Sequence, residues 1–274
     1  MKNENSTSEQ EVITATNLTK TARRGAVYET LDLSINRGDI VLFTGPDGSG
    51  KSALLLTLVG RMVPDSSSQL RVLGHNLPLG RLRVQRSTSA LGFAGLDDLD
   101  ESVSVGQATR ERLAWQAPAW KIVLPPDDET IREIMEPYFG GLNVPTARTP
   151  LHHLREAERI LLRISLSMLS QPQILAIDEI DQIHDIAARD IVWNVLREIA
   201  QSGVTVLVSA TSETEKNRIT WSELKHIDLS KDYSEKGDKP TFVQRIKRIR
   251  ATEEKASRMA PPREKTPLRT AAFA

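Results

Sequence analysis

Between positions 45 and 52 the chain reads Gly45-Pro46-Asp47-Gly48-Ser49-Gly50-Lys51-Ser52, the full pattern G-x-x-x-x-G-K-S/T. No other stretch restricts the fold as strongly. Glycines at these spacings let successive backbone N–H groups turn inward and approach an anion with no Cβ in the way. Such a loop works only between a buried strand and the start of a helix, whose positive end adds to the attraction. Both flanks are present. Ile40-Val41-Leu42-Phe43 is an apolar run of strand length, of the kind buried on both faces. Ala53-Leu54-Leu55-Leu56-Thr57-Leu58-Val59-Gly60 reads as a buried helix. In this pattern Lys51 reaches the β- and γ-phosphates of a nucleotide and the Ser52 hydroxyl ligates Mg²⁺, so ATP and Mg²⁺ are the expected ligands.

Downstream the same alternation recurs. Apolar residues at Ile160, Leu161, Ile164 and Met168 define one face of a helix over residues 155–169, which Pro172 stops. Ile174-Leu175-Ala176-Ile177 is a second buried-strand run, ending in Asp178-Glu179. Ile191, Val192, Val195, Leu196 and Ile199 mark an amphipathic helix that Gly203 closes, and Val204-Thr205-Val206-Leu207-Val208 is a third buried strand. Upstream, residues 12–17 and 31–35 alternate like strands around a turn at Ala22-Arg23-Arg24-Gly25. The pattern predicts an α/β fold with a mostly parallel core sheet, an N-terminal β-subdomain and a helical insertion at about residues 105–170. Domain limits of 11–231 follow, with residues 1–10 and 232–274 expected to be disordered.

An Asp at the end of a strand beside the P-loop strand can hold the shell of the Mg²⁺ ion, which makes Asp178 the second metal candidate. The adjacent Glu179 can polarise an attacking water, a general-base role that contributes typically about 10²–10⁴-fold. An apolar run ending in two acids is also what any strand end meeting solvent shows, and the pairing with the upstream loop is what singles this one out.

With these residues in place, the chain resembles the ATP-binding cassette family, the nucleotide-binding subunits of ABC transporters. Residues 31–40 resemble that family's approach to Walker A, and Gln171-Pro172-Gln173-Ile174-Leu175-Ala176-Ile177-Asp178-Glu179 resembles its Walker B with the catalytic glutamate. Asp185 falls at the position of the D-loop aspartate. The resemblance implies a P-loop NTPase fold, ATP hydrolysis with Glu179 as the catalytic residue, and a head-to-tail homo- or heterodimer of ATP-binding subunits. It also implies membrane permease subunits as partners and a peripheral place on the cytoplasmic face of the membrane.

The departures are specific. The family's LSGGQ signature falls on Leu154-Arg155-Glu156-Ala157-Glu158, where both glycines are lost and Glu156 is expected to crowd and repel a phosphate. Leu96 stands at the Q-loop glutamine and Thr211 at the switch histidine. For the aromatic that stacks on adenine, Tyr28 is the nearest candidate, although a strand residue packing in the sheet reads equally well, and Ala22 stands at the usual position. Robust ATP binding and slow turnover are the expectation. The alternative is an ATP-dependent regulatory or assembly switch with vestigial hydrolysis, favoured by the eroded signature and opposed by the intact Asp178, Glu179 and Asp185.

Composition narrows the rest. With no cysteine there is no disulfide framework and no thiol chemistry. No apolar run approaches the roughly 18 residues that span a bilayer, and the polar start does not read as a secretory signal. Zero net charge argues against a nucleic-acid footprint over the whole protein. The charge is nonetheless segregated: Lys231 to Ala274 carries 12 Lys/Arg and 6 Asp/Glu, which makes that segment +6 and the remainder −6. That segment reads as a solubilising tail or as a contact with a membrane surface or partner. His152-His153 point in different directions at a helix start and suit one metal poorly. His75, His184 and His226 are scattered and read as structural or exposed. Trp115 and Trp120 read as core or as a partner surface.

Overall fold

The computed structural model describes residues 11–230 except 24, 94, 97, 98 and 119; the expectations for residues 1–10 and 232–274 lie outside them. The chain opens with two long antiparallel strands, β1 (Glu11–Ala22) and β2 (Gly25–Asn36), and then enters β3 (Ile40–Thr44), the phosphate loop and α1 (Lys51–Leu58). Next come β4 (Gln69–Val72), β5 (His75–Leu77), α2 (Arg81–Arg86) and β6 (Thr88–Leu91). The insertion supplies α3 (Val105–Gln116), α4 (Asp128–Met135) and α5 (Glu156–Met168). The last part holds β7 (Ile174–Ile177), α6 (Ile186–Gln201), β8 (Thr205–Ala210), α7 (Thr214–Arg218) and β9 (Leu224–Asp228).

The strands form two sheets. One is antiparallel, in the order β2-β1-β4-β5, and the other has five strands in the order β6-β7-β8-β3-β9 with every pairing parallel. In the parallel sheet the apolar runs are continuous because both faces are covered. Ile40, Leu42, Leu175, Ile177, Val206 and Val208 point into a core shared with α3, α4, α5 and α6. Val41, Phe43, Ile174, Ala176 and Leu207 point the other way, into a core shared with α1 and the antiparallel sheet. A side-chain period of two thus feeds two separate cores from one set of strands.

Three expectations are corrected here. The first two strands are longer than residues 12–17 and 31–35, because the hairpin continues outward through the polar Thr19-Lys20-Thr21, where register shifts break the alternation. The helix after the phosphate loop begins at Lys51 rather than Ala53, inside the motif itself. The strand carrying Asp178 is not beside the P-loop strand: β8 lies between β7 and β3. Gly203 closes α6 as expected. It has φ 96°, its N–H donates to Ala200 O at 2.8 Å, and Val204 N–H donates to Ile199 O at 3.4 Å. Trp115 and Trp120 are 69% and 87% exposed, which removes the core reading and leaves the surface one.

Candidate functional site

The loop at 45–52 sits at the carboxyl end of β3, the edge at which open α/β sheets bind ligands. Gly50 is the N-cap of α1 in the left-handed region at φ 94°, and no side chain caps the helix. A Cβ at Gly50 would lie 2.4 Å from the Val27 carbonyl oxygen, so the loop packs against β2 only with glycine there. Lys51 is 4% exposed, and its ammonium is drawn inside the loop, donating to Gly45 O at 2.8 Å and Pro46 O at 3.2 Å. Ser49 Oγ is buried with no hydrogen-bond partner among the described residues, while Asp47 and Gly48 are exposed and Ser52 is half-buried on the first turn. A buried cation, an orphaned hydroxyl and a helix start without an acidic side chain are what a nucleotide's phosphates would satisfy. The loop fits the expected ligand.

The acidic pair is organised by a residue that sequence reasoning missed. Ser209 lies on β8 opposite Phe43 of the P-loop strand. Its hydroxyl donates to Asp178 Oδ1 and accepts from the Glu179 N–H at 2.8 Å. One side chain on the intervening strand therefore fixes both acids. Strand spacing puts β7 about 10 Å from β3, so Asp178 approaches the loop across β8 rather than from an adjacent strand. Asp178 is nearly buried, and Glu179 holds a left-handed backbone at φ 51°. Non-glycine residues in that region carry backbone strain on the order of 1 kcal/mol or more, and such strain clusters at functional sites. Gln182 Nε2 donates to Glu179 Oε2, and Asp181 Oδ2 accepts from the Thr211 N–H at 2.8 Å. The only signal for Ser209 in the sequence was a hydroxyl one step beyond the third apolar run.

The structure corrects or refines the remaining candidates. Tyr28 is 2% exposed and its hydroxyl donates to Thr57 Oγ1 at 3.1 Å, so it is a core residue and does not stack on a base. Leu96 is half exposed. Asp185 caps α6, accepting from the N–H groups of Ala187 and Ala188 at 3.0 and 3.4 Å. Glu158 Oε2 accepts from the Arg155 N–H at 2.9 Å at the start of α5. Glu156 accepts from the His184 N–H at 2.8 Å, and its other oxygen lies 3.0 Å from His184 Nδ1. The His184 amide, and after it the His184 imidazole, hold the Glu156 carboxyl below its ordinary range. Glu156, His184, Asp178, Glu179 and Gln182 line one cleft together with Arg159, which brings the Walker B end and the signature position together within a single chain. His152 Nδ1 lies 3.2 Å from Glu101 O, and its ring meets His153 edge-on. His226 pairs with Thr44 Oγ1 at 2.7 Å.

Residues 28–182 match the family model described as ABC transporter. The curated protein "ABC transporter A family member 2" of Dictyostelium discoideum is 29% identical over 191 residues, covering 69% of this chain and 11% of that protein. "Nod factor export ATP-binding protein I" of Ralstonia nicotianae is 26% identical over 209 residues, covering 76% of this chain and 62% of that protein. The chain therefore spans less than two thirds of the length of these relatives. Among solved structures, cbiO1 of Clostridium perfringens, described as part of the ABC transporter complex cbiONQ, superposes with a TM-score of 0.60 at 19% identity. It covers 74% of this chain and 80% of that one, and at that identity the likeness shows the fold alone.

Proposed function

The chain belongs to the ABC transporter family, and from that premise we propose that it is the ATP-binding, slowly hydrolysing subunit of such a transporter. The observation that carries the proposal is the phosphate loop closed around Lys51 at the carboxyl end of β3, with the neighbouring strand β8 holding Asp178 and Glu179 through Ser209. Lys51 and the backbone of Gly45, Pro46, Asp47, Gly48, Ser49 and Gly50 would bind the β- and γ-phosphates, and Ser52 with Asp178 would hold Mg²⁺. When bound, Mg²⁺ would neutralise negative charge on the β- and γ-phosphates. Glu179, oriented by Ser209 and Gln182, would accept the proton of the attacking water.

Slow turnover is supported by the fate of α5. In a head-to-tail dimer of ATP-binding subunits the start of α5 would face the partner's nucleotide. Here that start carries Glu156, an anion already occupied by His184 of its own chain. Thr211, at the switch position, uses its N–H on Asp181. An acidic Glu156 where a glycine would meet the phosphate and a Thr211 without an imidazole favour binding over turnover, and the eroded signature is the reason the reading as an ATP-dependent assembly switch is retained. No helix among the described residues is long and apolar enough to cross a membrane; in the proposed role membrane permease subunits are the partners and this chain lies on their cytoplasmic face.

Affinity purification from detergent-solubilised membranes, with ATP hydrolysis measured on the captured complex, tests the proposal. Co-purification of a multi-spanning protein supports the transporter reading, whereas a detergent-indifferent soluble complex supports the switch. Unchanged nucleotide affinity in Lys51→Ala would overturn both.

A further inference from the structure

The layer formed by the antiparallel sheet carries a surface that the phosphate site does not use. No Asp or Glu occurs between Asp65 and Asp97, although the chain outside residues 231–274 is net negative. Within this acid-free stretch α2 presents Arg81, Arg83 and Arg86, all exposed, and none of the three forms an ion pair or side-chain hydrogen bond among the described residues. Val84, fully buried, faces Gly60 and anchors the helix. Helical spacing turns Leu82, Arg83 and Arg86 to the opposite, outer side. Leu82 is 63% exposed, and Leu79 in the preceding turn is 95% exposed.

A leucine that is 95% exposed has no wall beside it. It projects from a convex corner rather than lining a groove, which suits insertion into a soft phase better than docking into a shaped partner. Three unpaired guanidinium groups around it match phosphate-bearing headgroups, to which arginine forks bind in bidentate fashion. Nucleic acid fits poorly, because residues 66–92 contain no Phe, Tyr or Trp to stack on bases and the projecting groups are aliphatic.

We propose that the corner formed by residues 78–86 is a contact surface for an anionic bilayer. In that contact Arg81, Arg83 and Arg86 lie at the headgroups, and Leu79 and Leu82 enter the acyl boundary. The proposal is independent of nucleotide chemistry and is tested without nucleotide.

The chain has no native cysteine, so Leu82→Cys can carry a single environment-sensitive dye on the full-length protein. Asn194→Cys, on the exposed side of α6 across the parallel sheet, serves as the control site. Vesicles containing phosphatidylserine are expected to shift the emission at position 82 to the blue, with no shift from phosphatidylcholine alone and none at position 194. Replacing Arg81→Gln, Arg83→Gln and Arg86→Gln together should raise the lipid concentration at half-shift by about a hundredfold, since each arginine contributes roughly fivefold at an anionic surface. Unchanged thermal midpoints would show that the variants fold. The proposal is overturned by the absence of a shift, by an equal shift on phosphatidylcholine, or by a shift that survives the triple substitution. A shift that appears only when a membrane-protein extract is added would assign the surface to a protein partner and overturn it as well.

Discussion

At the end of β8 one hydroxyl serves two acids. Ser209 donates to Asp178 and accepts from the Glu179 backbone, and an alanine there leaves both groups unpaired at a nearly buried site. Losing such partners costs about 1–3 kcal/mol. Because Lys51 and the loop are untouched, Ser209→Ala is expected to lower turnover about 10–100-fold with nucleotide affinity almost unchanged; an equal loss in both, measured by steady-state kinetics and nucleotide titration, would contradict this. Gly50 tests the loop itself. With φ 94° and a backbone oxygen 2.4 Å from any Cβ, Gly50→Ala must displace β2 or the loop. A loss of about 1–3 kcal/mol in stability together with weakened nucleotide binding is expected, checked by denaturant unfolding and calorimetric titration.

At the scale of elements, two contacts carry predictions. The first joins α7 to α6. Glu215 is 2% exposed and pairs with Arg189 at 3.1 Å and Arg218 at 2.9 Å, and it accepts from Trp193 Nε1 at 3.0 Å. Removing one member of a buried ionic cluster leaves the others uncompensated, so Glu215→Ala is expected to cost about 3–5 kcal/mol in denaturant unfolding. The second contact ties the start of α5 to the loop before α6. Because the folded state holds the Glu156 carboxyl below its ordinary range, this contact's contribution is present above the unfolded pKa and is lost as pH falls through the lower folded value. Hydrogen exchange at the His184 amide should therefore accelerate on acidification below about pH 4, and Glu156→Gln should flatten that dependence. An exchange rate in the native chain that ignores pH after correction for intrinsic chemistry would remove the contact from solution.

For the whole molecule, the parallel sheet is the organising object. Its two faces feed two cores, and its carboxyl edge gathers the phosphate loop, Ser209 and the acidic pair. If the chain works as a dimer closed by nucleotide, Glu179→Gln with ATP-Mg should shift its mass toward a dimer in light scattering, whereas Lys51→Ala should stay at the monomer mass. A monomer under both conditions would favour a heterologous partner.

How much of this was legible follows from how far each interaction reaches along the chain. The phosphate loop, the three buried runs at residues 40–43, 174–177 and 204–208, and the cap at Gly203 depend on a residue's own backbone and its near neighbours. The sequence alone therefore determined the α/β class and the position of the loop. It also marked the eroded signature, since a missing glycine at Glu156 is visible without coordinates. Strand order was not legible. The crossovers that insert β8 between β3 and β7 are chosen by packing on both faces of the sheet, and without that order Ser209 is only a serine after an apolar run. The burial of Tyr28, the pairing of Glu156 with His184 and the exposure of Leu79 beside unpaired arginines were decided by the tertiary structure for the same reason: each depends on what arrives from a distant part of the chain, and a local pattern does not encode which distant group will arrive.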